Sequence, residues 1–69
     1  MELDVNLMAQ KMVELRGEKT QEEVANDLQI SKSALAMYES GKRIPRDAIK
    51  LRIAVYYGKS IGFIFFNDK

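Results

Sequence analysis

The chain has 69 residues, with 11 lysines and arginines against 10 acidic residues and a formal net charge of +1. This length supports one domain, spanning residues 1–69, near the lower limit for a self-sufficient core, so self-association would add stability. Cysteine and histidine are both absent, which excludes disulfides, thiolate metal sites and the commonest catalytic base.

A first helix is predicted near the N-terminus. Asp4 or Asn6 can cap its start, and Gly17 can end it after Arg16. Its inward stripe should be formed by three apolar residues at i, i+4 and i+7, namely Met8, Met12 and Leu15. The methionines could instead form an adaptable binding surface.

A second helix should begin near Gln21. Thr20 and Glu23 have the spacing of a capping box, in which each side chain satisfies a backbone N–H of the other residue. The apolar residues that follow share one face at helical spacing: Val24, Ala25 and Leu28.

A third helix should follow after a turn of about three residues. Ser31 can cap it, Leu35 and Tyr38 share its apolar face, and Gly41 supplies a positive-φ stop. Two helices of about eight residues bury their apolar faces only by crossing steeply over a third element. This pattern is typical of the helix-turn-helix, which presents its second helix to the DNA major groove.

A fourth helix is predicted between Pro45 and Gly58. Pro45 lies just ahead of it, and Asp47 falls in the first turn, where a carboxylate suits the helix dipole. Its inward residues should be Ile49, Ile53, Ala54 and Tyr57.

The last segment, from Ile61 to about Phe66, follows a possible cap at Ser60. Its β-branched and aromatic residues fit a short helix or a strand, and it is far too short to span a bilayer. Two isoleucines and one phenylalanine could fill the core, and the other phenylalanines would then form an exposed patch, which is typical of an interface.

Charge is distributed unevenly along the chain. Residues 1–31 carry three basic and seven acidic groups, a net of −4, whereas residues 32–60 carry seven basic and two acidic groups, a net of +5. The basic part begins at the third helix, as expected of a surface that binds phosphate. Chance asymmetry of a solvated surface is the alternative.

Several motifs together resemble the lambda-repressor/Cro-type (XRE) helix-turn-helix family, from about residue 8 to 66. They are the Gln-Glu-Glu-Val-Ala run at 21–25, Ile30-Ser31, Leu35, the run Tyr-Glu-Ser-Gly-Lys-Arg at 38–43, Pro45, Ile53-Ala54 and Gly58. The resemblance implies an all-α, compact five-helix domain with the helix-turn-helix in helices two and three, and it favours a helix for the last segment. The link before Thr20 is two residues shorter than usual. Gln29 replaces the usual turn glycine, at a cost of ~1 kcal/mol if its φ is positive.

The resemblance implies that helix three enters the major groove with its N-terminal residues nearest the bases. Four residues lie opposite its apolar face and are the candidate base contacts: Lys32, Ser33, Ala36 and Met37. Lysine donates to guanine, serine pairs with several base edges, and alanine and methionine suit a thymine methyl group. Lys32 could instead be solvated or bind phosphate, Ser33 could bond the local backbone, and Met37 could be a packed edge.

By the same resemblance, phosphate contacts fall at the start of helix two and after helix three. The candidates are Gln21, Ser40, Lys42, Arg43 and Arg46. Such contacts position a protein on DNA without reading its sequence, although Lys42 and Arg43 could simply lie in a solvated turn. Arg16 and Glu39 match a structural pair that ties helix one to the end of helix three, unless both are merely exposed.

The sequence therefore predicts a cytoplasmic, sequence-specific double-stranded DNA-binding transcriptional regulator, a repressor or Cro-like protein of a phage or bacterium. It should bind an inverted-repeat operator as a homodimer, paired through Phe63 and Phe66 near the C-terminal end. We expect no cofactor, metal, membrane or small-molecule ligand. The alternative is an antitoxin or another protein-interaction module with the same fold. Enzymatic activity is not expected, because the aspartates fall on separate elements without a histidine, cysteine or phosphate loop to join them.

Overall fold

The computed structural model describes residues 3–66, and these form five α-helices without a strand. In chain order the helices are α1 (Val5–Arg16), α2 (Gln21–Leu28), α3 (Lys32–Glu39), α4 (Asp47–Tyr57) and α5 (Ile61–Phe65). The all-α, five-helix prediction is confirmed, and the last segment is a helix. The strand alternative for that segment is wrong, because the Ser60 side chain accepts the N–H of Phe63 and starts a helical turn.

Side-chain caps explain where the helices begin. Four helices start after a residue whose side chain accepts a backbone N–H three residues later: Asp4, Thr20, Ser31 and Ser60. Such a cap typically contributes ~1 kcal/mol. The predicted capping box is present, with Glu23 Oε1 accepting the Thr20 N–H at 3.3 Å. α4 has no side-chain cap, but Asp47 lies in its first turn.

Residues with positive φ follow the ends of α2 and α3, at the positions where the sequence places the turns. Gln29 has φ +58° and is the one non-glycine residue with positive φ in the described part of the chain. Its N–H donates to Asn26 O at 3.1 Å and closes α2. Gly41 has φ +76°, and a Cβ there would meet Val5 Cγ1 at 3.0 Å. Glycine therefore permits both the turn and the close approach of α1.

The core lies where α1 packs against α3 and α5, and where α2 packs against α3 and α4. Its buried apolar residues are Met8, Met12, Val24, Ala25, Leu28, Leu35, Tyr38, Ile53, Ala54, Ile64 and Phe65. The predicted inward residues Leu15, Ile49 and Tyr57 pack against this core and are partly buried. Met8 and Met12 are core residues, so the binding-surface interpretation of these methionines is wrong.

The C-terminal phenylalanines differ from the prediction of an exposed patch. Phe65 is buried, and Phe63 and Phe66 are partly buried instead of exposed. Both rings pack against the core, and lysine side chains cover them further: Lys11 Nζ lies 4.4 Å from the centroid of the Phe63 ring, and Lys50 Nζ lies 5.4 Å from that of Phe66. Such cation–π contacts shield the ring faces from water.

Candidate nucleic-acid interface

The N-termini of α2 and α3 open on the same shallow cleft. Its lining consists of Arg16, Thr20, Gln21, Glu22 and Lys32. Each helix start carries backbone N–H groups and the positive end of the helix dipole, which together attract anions. Two cationic side chains, one amide and the carboxylate of Glu22 border the same cleft. The arrangement can bind a phosphate group.

A buried carboxylate organises one side of this cleft. Glu39 has only 4% of its side chain exposed, and its two oxygens accept from Arg16 Nε at 2.9 and 3.2 Å. Arg16 also donates through Nη1 to Lys19 O at 2.8 Å. The two residues that the resemblance pairs are thus in direct contact, and they join the end of α1 to the end of α3.

Gln21 belongs to the same network and braces α3, as its resemblance to the family glutamine implies. Its Nε2 donates to Glu39 Oε1 at 2.9 Å. The two residues lie 18 positions apart, and only the crossing of α2 over α3 brings them together, so no local signal could have identified the contact. The bond fixes the amide at the helix start and leaves its second N–H and its carbonyl oxygen free for a ligand.

The predicted outward face of α3 is largely exposed. Lys32 and Ser33 are exposed at its N-terminal end, and Met37 retains 43% of its surface one turn later. Ala36 is partly buried. Three of the four candidate base contacts are therefore open to a ligand, and Ala36 presents only part of its surface between them.

The loop after α3 exposes three further cations. Lys42, Arg43 and Arg46 are all exposed, and the backbone N–H groups of the first two donate to Met37 O at 3.0 and 3.3 Å. Their backbone thus closes α3 while their side chains point to solvent. We refer to Lys32, Lys42, Arg43 and Arg46 as the basic face.

Ser40 is less free than the other predicted phosphate contacts. Its hydroxyl donates to Met37 O at 3.1 Å, and its N–H closes the last turn of α3 by donating to Ala36 O at 3.0 Å. The Ser40 hydroxyl can donate a hydrogen bond to a phosphate only after its bond to Met37 O breaks.

The remaining cations of the basic segment have other contacts. Arg52 Nη1 donates to Leu28 O at 2.8 Å, and Lys50 lies 3.6 Å from Asp47. Lys59 Nζ lies 5.5 Å from the centroid of the Phe63 ring. The net charge of +5 over residues 32–60 therefore overstates the positive charge that the surface offers to a ligand. Only four of the seven basic groups in this segment belong to the basic face.

Tyr57 lies beneath this network and is held neutral. Burial, and next the negative charge of Glu39, raise the pKa of its phenol to about 12. Its hydroxyl is buried and has no hydrogen-bond partner among the described residues. The sequence predicted Tyr57 as inward-facing, but the orphaned hydroxyl depends on packing and has no local signal.

Residues 3–66 can also be assessed for metal sites and for membrane-spanning helices. No group of three or more acidic residues lies close enough together there to hold a metal ion. Of the helices described, none has the length and apolar character needed to cross a membrane.

Comparison with known proteins identifies the family. A helix-turn-helix family model matches residues 11–64, which is most of the chain and includes both helices of the motif. Searches of curated proteins and of solved structures gave no significant match. The chain therefore belongs to the lambda-repressor-like (XRE) helix-turn-helix family, whose members are DNA-binding regulators.

Proposed function

We propose that this helix-turn-helix protein is a sequence-specific transcriptional regulator, repressor or Cro-like, acting in the cytoplasm of a bacterium, on host or phage genes. It binds an inverted-repeat operator as a dimer, with α3 in the major groove. The observation that carries the proposal is the shared cleft of the two helix starts, bordered by Gln21 and Lys32 and followed by the exposed loop cations. Phosphate and base edges are the ligands that such a surface recognises.

Base readout is assigned to the exposed side of α3. Lys32 donates to guanine O6 and N7, and Ser33 contacts a neighbouring base edge. Met37, with 43% of its surface exposed, offers an apolar contact to a thymine methyl group, with Ala36 beside it. A methionine that is open to water in the free protein loses that exposure when the groove covers it.

Phosphate contacts are assigned to the two ends of the motif. Gln21 binds one phosphate with the N–H that Glu39 leaves free, together with the helix N-terminus. Lys42, Arg43 and Arg46 bind the backbone next to α3, with Ser40 after release of its local bond. These contacts supply most of the salt-dependent affinity.

The need for a dimer follows from the small size of α3, the helix assigned to base contacts. One helix of eight residues reads only a few base pairs, and a single small module buries too little surface for tight specific binding. Two copies about a two-fold axis would present their α3 helices about 34–36 Å apart, which is one helical turn of DNA. Phe63 and Phe66 remain one candidate pairing surface.

The test is a selection of duplex sequences from a random library, followed by binding to the selected duplex over a range of salt. Each phosphate neutralised contributes about −0.9 to the slope of log K against log salt. A dimer using two to four cations per copy should show a slope of roughly −4 to −7 and select an inverted repeat. A Kd that is independent of salt, or no selected sequence, would overturn the proposal.

A further inference from the structure

A stripe of apolar residues runs along the side of α4 away from the core. It begins in the preceding loop and continues at helical spacing, and it consists of Ile44, Ala48, Leu51 and Val55, all exposed. Leu51 retains 55% and Val55 73% of its surface. The other side of α4 contributes Ile53 and Ala54 to the core. A helix at a protein surface normally has a polar outer side, so the α4 stripe needs another explanation.

The α4 stripe forms one wall of a groove, and the end of α2 forms the other. The lining residues are Asp27, Leu28, Ala48, Leu51, Arg52, Val55 and Tyr56. The polar groups at the rim are held in place: Arg52 donates to Leu28 O at 2.8 Å, and Tyr56 Oη donates to Asp27 Oδ2 at 2.6 Å. The groove thus combines an apolar wall with one fixed positive and one fixed negative group.

Exposed apolar side chains elsewhere in residues 3–66 do not form such a surface. The large ones outside the stripe are Val13 on α1 and Met37 on the outward side of α3. Phe63 is partly buried, with Lys11 and Lys59 over its ring. The aromatic end of the chain is therefore the more shielded of the two candidate surfaces.

We infer that the α4 stripe is the surface on which a second copy of this chain docks about a two-fold axis. The inference rests on the proposed function, because reading an inverted repeat requires such a pair. In a two-fold interface each residue meets its counterpart reciprocally. Asp27 of each copy can then face Arg52 of the other, and the rim charges of the two copies balance instead of repelling.

The position of the groove is compatible with DNA binding. It lies at the C-terminal end of α2, at Asp27 and Leu28, whereas the cleft for phosphate lies at the N-terminal end, at Thr20 and Gln21. The eight residues of this helix separate the two by about 12 Å. A copy that covers the groove therefore leaves the cleft open.

The first experiment uses the double variant Leu51→Glu/Val55→Glu in sedimentation equilibrium. Both side chains are exposed, so the helical circular dichroism should be unchanged, while four carboxylates would face one another across the two-fold axis. We expect dimerisation to weaken by at least about tenfold. The single variants Val55→Glu and Val13→Glu form a matched pair, because each places one carboxylate at an exposed valine; only Val55→Glu should weaken the dimer.

A second experiment exchanges the rim charges. Asp27→Arg sets two positive groups against one another and should weaken the dimer, and adding Arg52→Asp should restore it. Recovery in the doubly exchanged protein supports a direct contact between the copies. Failure to recover, with the fold retained, contradicts it.

Different results would overturn the α4 interface and the proposed function. The inference is overturned if Leu51→Glu/Val55→Glu stays dimeric while Phe63→Ala/Phe66→Ala becomes monomeric, because α5 would then be the interface. It is also overturned if wild type is monomeric at high micromolar concentration with and without the selected duplex, which would leave a different protein as the occupant. Dimerisation through the stripe without duplex binding would support the surface and overturn the proposed function instead.

Discussion

The basic face and the α4 stripe are both open to solvent, but for opposite physical reasons. The basic face exposes charged side chains that water already solvates, so its exposure costs little in the free protein. The α4 stripe exposes Leu51 and Val55, which would be more stable out of water. The first surface is suited to a highly charged ligand met from solution, and the second to a lasting partner. A regulator that reads two half-sites needs both.

The network at Glu39 joins α1, α2 and α3 beside the cleft at the two helix starts, and breaking it should have the largest effect. Glu39→Ala leaves Arg16 and Gln21 without their acceptor. Because Arg16 retains 21% side-chain exposure, we expect a decrease of about 2–3 kcal/mol in the free energy of unfolding, below the full cost of breaking a buried pair. Urea denaturation measures it. Glu18→Ala, at an exposed turn residue, should change stability by less than about 0.5 kcal/mol. Equal effects of the two substitutions would contradict a supporting role for Glu39.

The proposed function assigns different roles to two lysines of the basic face: Lys32 contacts bases and Lys42 contacts phosphate. Lys32→Ala should relax discrimination at one or two base pairs per half-site, with a decrease of ~1–3 kcal/mol in binding free energy at the affected pair. Lys42→Ala should weaken binding to all sequences alike and flatten the salt slope by about one unit for each phosphate that is no longer neutralised. Binding of both variants to a set of mutated operators tests this. The opposite pattern would mean that the two roles are assigned backwards.

The turn between α2 and α3 holds Gln29 at a positive φ, and the resulting strain can be released. Gln29→Gly should stabilise the protein by up to ~1 kcal/mol, because glycine adopts φ +58° without a Cβ clash. Gln29→Ala keeps the Cβ and should bring no gain. Thermal unfolding compares the three proteins. If glycine destabilises, removal of the side chain or the greater freedom of the unfolded chain outweighs the strain.

The smallest effect is expected at Tyr57. Tyr57→Phe removes a buried hydroxyl without a partner in the described structure, so stability at neutral pH should rise by no more than about 1 kcal/mol. The phenol pKa is raised from 10.0 to about 12, so the folded state keeps this proton longer than the unfolded chain. Below pH 10 the phenol is protonated in both states and its titration does not change stability. As pH rises from 10 towards 12, the unfolded chain loses the proton first, and wild type becomes less stable. The advantage of the phenylalanine variant should therefore grow over that range in paired denaturation curves. A constant difference would contradict the raised pKa.

Local signals account for the parts of the fold that were predictable. Thr20, Ser31 and Ser60 each cap a helix through bonds to residues three positions away, and Gln29 and Gly41 have the positive φ expected of the turns. These features depend on neighbours in sequence, so the helix-turn-helix could be recognised without a structure. The outward direction of Lys32 and Met37 follows from helical periodicity alone.

Features that depend on packing could not be predicted in the same way. The Gln21–Glu39 bond needs the crossing of two helices, and the cover of Phe63 by Lys11 joins residues 52 positions apart. The α4 stripe has visible helical spacing, but α4 is apolar on both sides. Periodicity predicts the buried side correctly at Ile53 and Ala54, but only the packed core shows that Leu51 and Val55 on the other side stay open to solvent.

The salt dependence of duplex binding, measured for wild type and for Leu51→Glu/Val55→Glu, tests the division of labour between the two surfaces most directly. Wild type on the full operator should give a slope of log K against log salt of roughly −4 to −7. The double variant on a half operator should give about half that slope and bind the full operator no more tightly than two independent halves. A wild-type slope near zero, or a variant that still binds the full operator as tightly as wild type, would contradict the account.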